Sequence, residues 1–424
     1  MTTTSPRGAA QLPGLVIAVL ALLTAVSPLS TDMYLPAFPQ MATDLGASAT
    51  GIQLTLTTFL VGLALGQLVI GPLSDGTGRR KPLIIGAAIC LLASIATAVA
   101  PTIEFLIVAR FIQGFSGAAG VVLSRAIIAD SAKGVRGAKL LGLMMIIGGI
   151  APVLAPALGG AIIAGLGWRG VFWVLAFMVA LMFVAVLCFI KESLPASGRQ
   201  SGGVKAMFRS GRAVLSNRNY VGYLVTFCFA FAAMFAYISA SPFVLQNILG
   251  LSPGTYSLVF GVNSLAIMIS AIIATRLAGR VAYRKMLGGG VIALLLASVA
   301  LLAVVMTGVS MFPTLVLLFV FQGSVGFIYG NATTLALGEA SHHAGTGSAF
   351  LGAFQFVLGA VVSPLVGLAG DHDARPMGIA MAVAAAISAA AFFLLTRDRS
   401  ASATGTGRQP AQTQAVEAAE AAAR

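Results

Sequence analysis

The chain has 424 residues, 58% hydrophobic and only 9% charged, with a mean hydropathy of +0.98. So little polar surface cannot cover the cores of an ordinary soluble globule, and that class is excluded. The net charge of +13 is not a nucleic-acid signature, because the cations are distributed by topology, gathering in loops between apolar runs.

Apolar runs of about 20 residues, enough to cross a hydrocarbon layer of ~30 Å, recur throughout. They are predicted as twelve spans over 13–37, 51–72, 82–101, 104–126, 138–164, 168–190, 219–244, 254–277, 286–307, 312–337, 345–369 and 376–396. The first is preceded only by Arg7 and has no convincing small-residue cleavage site, so it reads as a retained helix. With the N-terminus placed in the cytoplasm, 21 Lys and Arg residues fall in cytoplasmic segments and two, Arg169 and Arg375, on the opposite side. That is a decisive positive-inside bias, and it places both termini in the cytoplasm.

In chain order, the first chemically notable group is Asp32, in LSTDMYLPAFP toward the outer end of the first span. The loop GPLSDGTGRRKPL (71–83) follows, concentrating Asp75, Arg79, Arg80 and Lys81 between two apolar runs. Arg110 lies about seven residues into the fourth span, at a depth matching Asp32 at ~1.5 Å per residue. An ion pair is permitted if the two helices are neighbours. An ionisable group inside the membrane costs at least ~2.5–3.5 kcal/mol on insertion scales, so it normally faces a cavity and has a partner. Two readings stand. Asp32 caps a helix end and Arg110 is structural, or Asp32 binds and releases a proton as its surroundings alternate. Burial favours a neutral carboxyl and a nearby cation favours the charged one, so moving Arg110 or admitting a cationic substrate would expel the proton.

Gln113 and Gly117 follow Arg110 at i+3 and i+7, on one helical face. The fifth span carries GGIAPVLAPALGG, with Gly148, Pro152, Pro156 and Gly160 every four residues, a flexible or closely packed seam. Residues 191–218 form the longest loop, rich in Gly, Ser, Lys and Arg, as expected of a cytoplasmic linker. Gln113-Gly114 recurs as Gln322-Gly323, 209 positions later, and the basic loop after the second span recurs more weakly as RLAGRVAYRK (276–285). Both offsets support a 6+6 duplication, the arrangement of transporters that rock two bundles about a central site.

Tyr237, Gln246, Asn263, Asn331 and Gln355 are polar groups in or beside the later spans. Phe227, Phe229, Phe231 and Phe235 give the seventh span a bulky aromatic wall, most of it for ordinary packing. His342-His343 reads as a solvated loop pair, Cys90, Cys188 and Cys228 as small buried residues, and 400–424 as a disordered tail. No nucleophile–base pairing, metal cluster or P-loop appears, so the chain is expected not to be an enzyme and any transport is expected to run on an ion gradient without a cofactor.

These residues resemble the major facilitator superfamily and, within it, the Bcr/CflA drug:proton antiporters. The loop is similar to the superfamily's cytoplasmic motif in Gly71, Leu73, Asp75, Gly78, Arg79, Arg80 and Leu83, and departs from it at Gly76, where a basic residue is usual. Leu106, Arg110, Gln113, Gly114, Gly117, Ala118 and Ala119 match the fourth-helix pattern, whose arginine the family implicates in proton coupling. Pro156, Gly159 and Gly160 match the fifth-helix antiporter motif, with Ala155 in place of its usual glycine. STDMYLPAFP (30–39), FAYISASPFVLQNILGLSP (235–253) and AGTGSAFLGAFQFVLGAVVSPLVG (344–367) look like Bcr/CflA signatures.

The resemblance implies an all-α membrane protein of twelve helices in two six-helix bundles: a cytoplasmic N-terminus at 1–12, bundles at 13–190 and 219–396, a linker at 191–218 and a tail at 397–424. It implies a proton-driven exporter of drug-like compounds in a bacterial inner membrane, with no obligatory protein partner; export or import of an endogenous metabolite is the alternative. Asp32 and Arg110 are then the proton-coupling pair. Asp32, Tyr34, Arg110, Gln113, Tyr237, Asn263 and Gln355 are the expected substrate contacts. Gly71, Asp75, Gly78, Arg79, Arg80 and Asp130 form the expected conformational latch, and Pro152, Pro156, Gly159 and Gly160 the antiporter motif.

Overall fold

In the computed structural model the described residues are 13–132, 134–196, 199, 211–341 and 344–396. The N-terminal segment 1–12, His342-His343, most of the linker and the tail 397–424 lie outside them. The chain is almost wholly helical. Ser48 caps helix α3 (Ala49–Thr77) by accepting from the Gly51 amide, and Thr102 caps α5 (Ile103–Ser131) by accepting from that of Phe105. Asn217 caps α7 (Arg218–Phe243), and Ser252, followed by Pro253, opens α8 (Pro253–Leu277). Short polar side chains ahead of apolar runs thus satisfy amides that the first turn leaves without partners. The remaining helices are α1 (Gly14–Asp32), α2 (Phe38–Asp44), α4 (Arg80–Ala98), α6 (Gly134–Phe189), α9 (Tyr283–Thr307), α10 (Met311–Glu339), α11 (Ala344–Leu365) and α12 (Arg375–Ala390).

Among the described residues, eleven stretches are long and apolar enough to cross a membrane, and one of them, Ile147–Phe189, has 43 residues. At ~1.5 Å per residue that is roughly twice the ~30 Å hydrocarbon thickness. Its backbone breaks at Gly167, at φ 64°, a conformation that side chains disfavour. The stretch is therefore two crossings, and the total is twelve. The first span is longer than predicted: a 3₁₀ turn at Leu35–Ala37 carries α1 into α2 as one apolar stretch ending at Asp44. Asp32 consequently lies well inside this rod, about 18 Å before its end at helical rise.

Helices α1 to α6 make one six-crossing bundle and α7 to α12 the other. With little hydrophobic drive between helices in lipid, close backbone approach supplies association. The α3–α5 crossing shows it: a Cβ added at Gly62, Gly66 or Gly114 would lie 2.3, 2.3 and 2.1 Å from the carbonyl oxygens of Phe111, Phe115 and Phe59. The bundles meet along two seams, α3 on α11 and α6 on α8.

Candidate functional site

Arg110 is completely buried. Its guanidinium donates to the Ser30 carbonyl of α1 at 2.9 Å and to Gln113 Oε1 at 2.7 Å, and Gln113 Nε2 donates to Ser94 Oγ of α4 at 2.9 Å. Aromatic rings enclose it, with Phe59, Tyr34 and Phe172 centroids at 4.3, 4.6 and 5.9 Å. Ring faces attract a desolvated cation, typically by ~2 kcal/mol. The Tyr34 hydroxyl lies 3.1 Å from Thr55 Oγ1, whose own proton goes to the Ile52 carbonyl, so Tyr34 is the donor. Arg110 thus ties α1, α3, α4 and α6 together, and its Nε has no hydrogen-bond partner among the described residues.

Asp32 is also buried, but it forms no ion pair with Arg110; among the described residues the Arg–carboxylate pairs are those of Arg79. The helix explains why. Arg110 meets α1 at the Ser30 backbone carbonyl, Asp32 lies about 200° around the helix from Ser30, and Tyr34 follows in the turn beyond α1. Asp32 sits instead within electrostatic reach of Tyr256 on α8, in the other bundle. The matching depths read from sequence bring Arg110 to Ser30, two residues from Asp32, but the two charged groups do not pair.

The antiporter-motif glycines also face two ways. A Cβ at Gly159 would lie 1.8 Å from the Met33 carbonyl oxygen, beside Asp32, and one at Gly160 would lie 2.4 Å from Ser257 Oγ on α8. One side of α6 therefore abuts α1 within its own bundle and the next residue abuts the opposite bundle. Pro152 and Pro156 are accommodated without non-helical backbone; the break falls further on, at Gly167.

On the α8 side, Asn263 Nδ2 donates to the Tyr237 hydroxyl at 2.9 Å, and Tyr237 stacks on Phe260 with centroids 5.7 Å apart. Ser241 and the Tyr256 hydroxyl are 3.2 Å apart in the same cluster. Gln355, half-buried on α11, makes no hydrogen bond to another described residue.

At the basic end, Arg79 NH1 donates to Asp75 Oδ1 at 2.6 Å and Nε to Asp130 Oδ2 at 3.0 Å. Arg80 turns away, donating to the carbonyls of Ile190 and Leu187. Gly78 adopts φ 95°, and a Cβ there would lie 2.5 Å from Glu192 Oε2. Gly71 is less confined, with its nearest added-Cβ contact at 3.5 Å. Glu192, at the start of the linker, accepts from the amides of Arg79 (2.8 Å), Leu194 (3.0 Å) and Arg80 (3.3 Å), and so caps α4. Partial burial pushes its pKa up, but these amides and the Arg199 charge outweigh that and hold its carboxyl below the ordinary value. Ser193 Oγ donates to the same Asp130 oxygen as Arg79, at 3.1 Å.

The bundles are hydrogen-bonded at the end opposite the basic loops. Gln53 Nε2 donates to the Ser239 carbonyl (3.2 Å), Thr57 to that of Ala360 (3.2 Å) and Gln246 to that of Pro36 (3.2 Å). Ser363 Oγ donates to the Gln53 carbonyl at 3.4 Å. Sequence reading missed Gln53, Phe59, Phe172 and Glu192. Only Glu192 carries a visible signal, a lone acid directly after a span and opposite a cationic clip. The rings have no distinguishing sequence mark.

Twelve crossings in two bundles, a buried cation and carboxylate within the first, and close approaches built on glycine define a membrane transporter rather than an enzyme. A profile of the Major Facilitator Superfamily matches residues 20–364, and the chain belongs to that family. Among curated proteins, it is 40% identical over 383 residues to the "Uncharacterized MFS-type transporter YdgK" of Bacillus subtilis (strain 168), covering 90% of this chain and 95% of that one. It is 28% identical to the "Bicyclomycin resistance protein homolog" of Haemophilus influenzae (90% and 96% covered) and 30% identical to the "Multidrug resistance protein MdtL" of Escherichia coli O139:H28 (78% and 83%). These names agree with the Bcr/CflA resemblance. A D-xylose-proton symporter structure aligns with a TM-score of 0.72 at 16% identity over 91% of this chain and 98% of that one. A bacterial Spinster homologue aligns at 0.71 and 16%, over 92% and 97%. Both show the same fold.

Proposed function

We propose that this chain is a proton-coupled exporter of small amphipathic, drug-like compounds, working by alternating access in the inner membrane with both termini in the cytoplasm. The observation that carries the reading is Asp32: a buried carboxylate within a membrane span, free of any ion pair among the described residues and within electrostatic reach of Tyr256 in the opposite bundle. Such a group is stable in a membrane chiefly in its neutral form, so a change in its surroundings changes its proton occupancy. The resistance names of the relatives support drug-like cargo.

In this reading the basic end is cytoplasmic, and the polar contacts of Gln53, Thr57, Gln246 and Ser363 close the outer end. Protonation from outside neutralises Asp32, and return of the bundles to the cytoplasm-facing state releases the proton. Arg110 holds α1 against α5 by neutral partners and rings, so it fixes the position of the helix that carries Asp32 and is not its counter-ion. Tyr237, Asn263 and Tyr256 supply hydrogen-bonding and stacking groups for cargo facing Asp32. Arg79, bridging Asp75 and Asp130, is the latch, and the proton gradient is the only energy source required.

The test is drug susceptibility in a pump-deficient host, with efflux from proteoliposomes under an imposed pH gradient. Wild type is expected to confer resistance to at least one amphipathic antibiotic, and Asp32→Asn to abolish gradient-driven flux while the protein still inserts. Equal susceptibility of wild-type and empty-vector cells over a broad panel refutes drug export. Undiminished coupled flux in Asp32→Asn refutes the proton assignment.

A further inference from the structure

On the outer wall of the second bundle, helices α8, α9 and α10 enclose a groove of about 320 Å³. Ala266, Ile269, Ser270 and Ile273 of α8 line one side, and Phe319, Val320, Gly323, Ser324 and Phe327 of α10 the other. Its two hydroxyls are spent internally, Ser270 on the Ile267 carbonyl and Ser324 on that of Phe321. The groove therefore offers only carbon surface, and Ile269, Ile273, Phe319 and Val320 are 43–51% exposed at its rim.

Charge marks one end of it. Ile269, Ile273 and Arg276 are at i, i+4 and i+7, on one face of α8. Arg276, Arg280 and Lys285 are all exposed and form no ion pair among the described residues. Arg284 is committed elsewhere, to Thr396 and the Phe392 ring. No Asp or Glu occurs anywhere between residues 193 and 338, so α8, α9 and their connection contain no carboxylate, and Glu339, which ends α10, is engaged by Asn217 and Asn219.

We propose that this groove binds one acyl chain of an anionic phospholipid, whose headgroup rests on Arg276, Arg280 and Lys285. The depth fits. From Leu277 at the basic end of α8, Ile273 is about 6 Å and Ala266 about 16 Å away at helical rise, so the α8 wall of the groove runs from the basic side to about the midplane of a ~30 Å hydrocarbon core. The missing counter-charge is what an anionic headgroup provides and a zwitterionic one does not. The opposite face of α8 carries Ser257 and Gly261, packed on Gly160 and the Val153 carbonyl of α6. A lipid in the groove thus backs the helix that forms the seam between bundles, whatever the cargo.

The full-length protein, purified in detergent and delipidated, is mixed with equal amounts of phosphatidylglycerol and phosphatidylcholine of the same chains, and retained lipid is read by native mass spectrometry. Wild type is expected to retain phosphatidylglycerol by about tenfold over phosphatidylcholine, a conservative figure for three surface cations. Arg276→Gln/Arg280→Gln/Lys285→Gln, at exposed positions that leave packing intact, should remove the preference. Gly323→Leu, which fills the floor where the nearest atom to an added Cβ is 4.0 Å away, should lower retention of both lipids. Equal retention of the two lipids by wild type, or an unchanged preference in the triple variant, overturns the headgroup assignment. Unchanged retention in Gly323→Leu overturns the groove, as does a lipid-free dimer seated on this face.

Discussion

Replacing Gly159 with alanine tests whether α6 and α1 must touch at backbone distance. The added Cβ would lie 1.8 Å from the Met33 carbonyl oxygen, and real Cβ contacts essentially never fall below 3.0 Å, so the helices must part by about 1.2 Å. Neither partner is a flexible side chain tip. Forced expansion of a packed interface costs ~1–3 kcal/mol. Gly148→Ala on the same helix is the control, since its Cβ would meet only the Thr24 methyl at 3.9 Å. Both variants gain the same helix propensity, roughly 0.8–1.0 kcal/mol, so their difference isolates the clash. Measured by thermal unfolding of purified full-length protein, Gly159→Ala should melt on the order of 1–3 °C below Gly148→Ala. Its coupled flux should fall as well, because Met33 adjoins Asp32. Equal melting temperatures would show that the α1–α6 contact is looser than the geometry requires.

Arg110→Lys keeps the charge but cannot reproduce the flat guanidinium donating two ways between rings; a loss of ~1–2 kcal/mol in stability is expected by thermal unfolding, and an unaltered melting curve would contradict it. Gln53→Ala removes the bond to the Ser239 carbonyl, worth about fivefold in the closed-to-open ratio at the end opposite the basic loops; faster labelling of Ser239→Cys by an impermeant maleimide, in a background lacking the native cysteines, would show it, and unchanged labelling would not support this seal. Because the Glu192 carboxyl sits below its ordinary value, its cap on α4 is fully present above the unfolded value and is lost as pH falls through the depressed folded one. Hydrogen exchange at the Arg79 and Arg80 amides, corrected for intrinsic rates, should therefore rise in acid for wild type and already be raised at neutral pH in Glu192→Gln; identical exchange in the two proteins would remove Glu192 from the cap.

The twelve crossings were legible because span length follows from bilayer thickness alone, and the Gly167 break falls in the short gap between two predicted runs. Asp130 entered the latch only through the family resemblance, which kept both Arg79 and Arg80 there; the structure gives both ion pairs to Arg79. What sequence did not reveal is rotation. Depth put Asp32 and Arg110 level, yet two residues along a helix turn a side chain nearly to the far side, and Arg110 took Ser30, Gln113 and three rings as neighbours. The extension of the first span to Asp44 was hidden by Pro36 and Pro39, which read as a stop but are absorbed by a 3₁₀ turn and the first turn of α2. Gln53 was passed over because a lone glutamine near a span end looks like an interfacial residue; its role depends on a bundle 186 positions away.

The groove on the second bundle has a counterpart in the first. Shifted by the 209-residue offset, Gly323 corresponds to Gly114 and Phe319 to Arg110. Gly114 is locked against the Phe59 backbone, whereas Gly323 meets only a methyl at 4.0 Å, and the tight contact of α10 moves one turn along to Gly326. The duplicated halves therefore differ in stiffness: one crossing is clamped at three glycines around a cation that cross-links four helices, the other leaves room for a soft filler. If the halves rock as proposed above, the looser second half is the compliant arm, and it moves against a first half that Arg110 stiffens and that carries the acid.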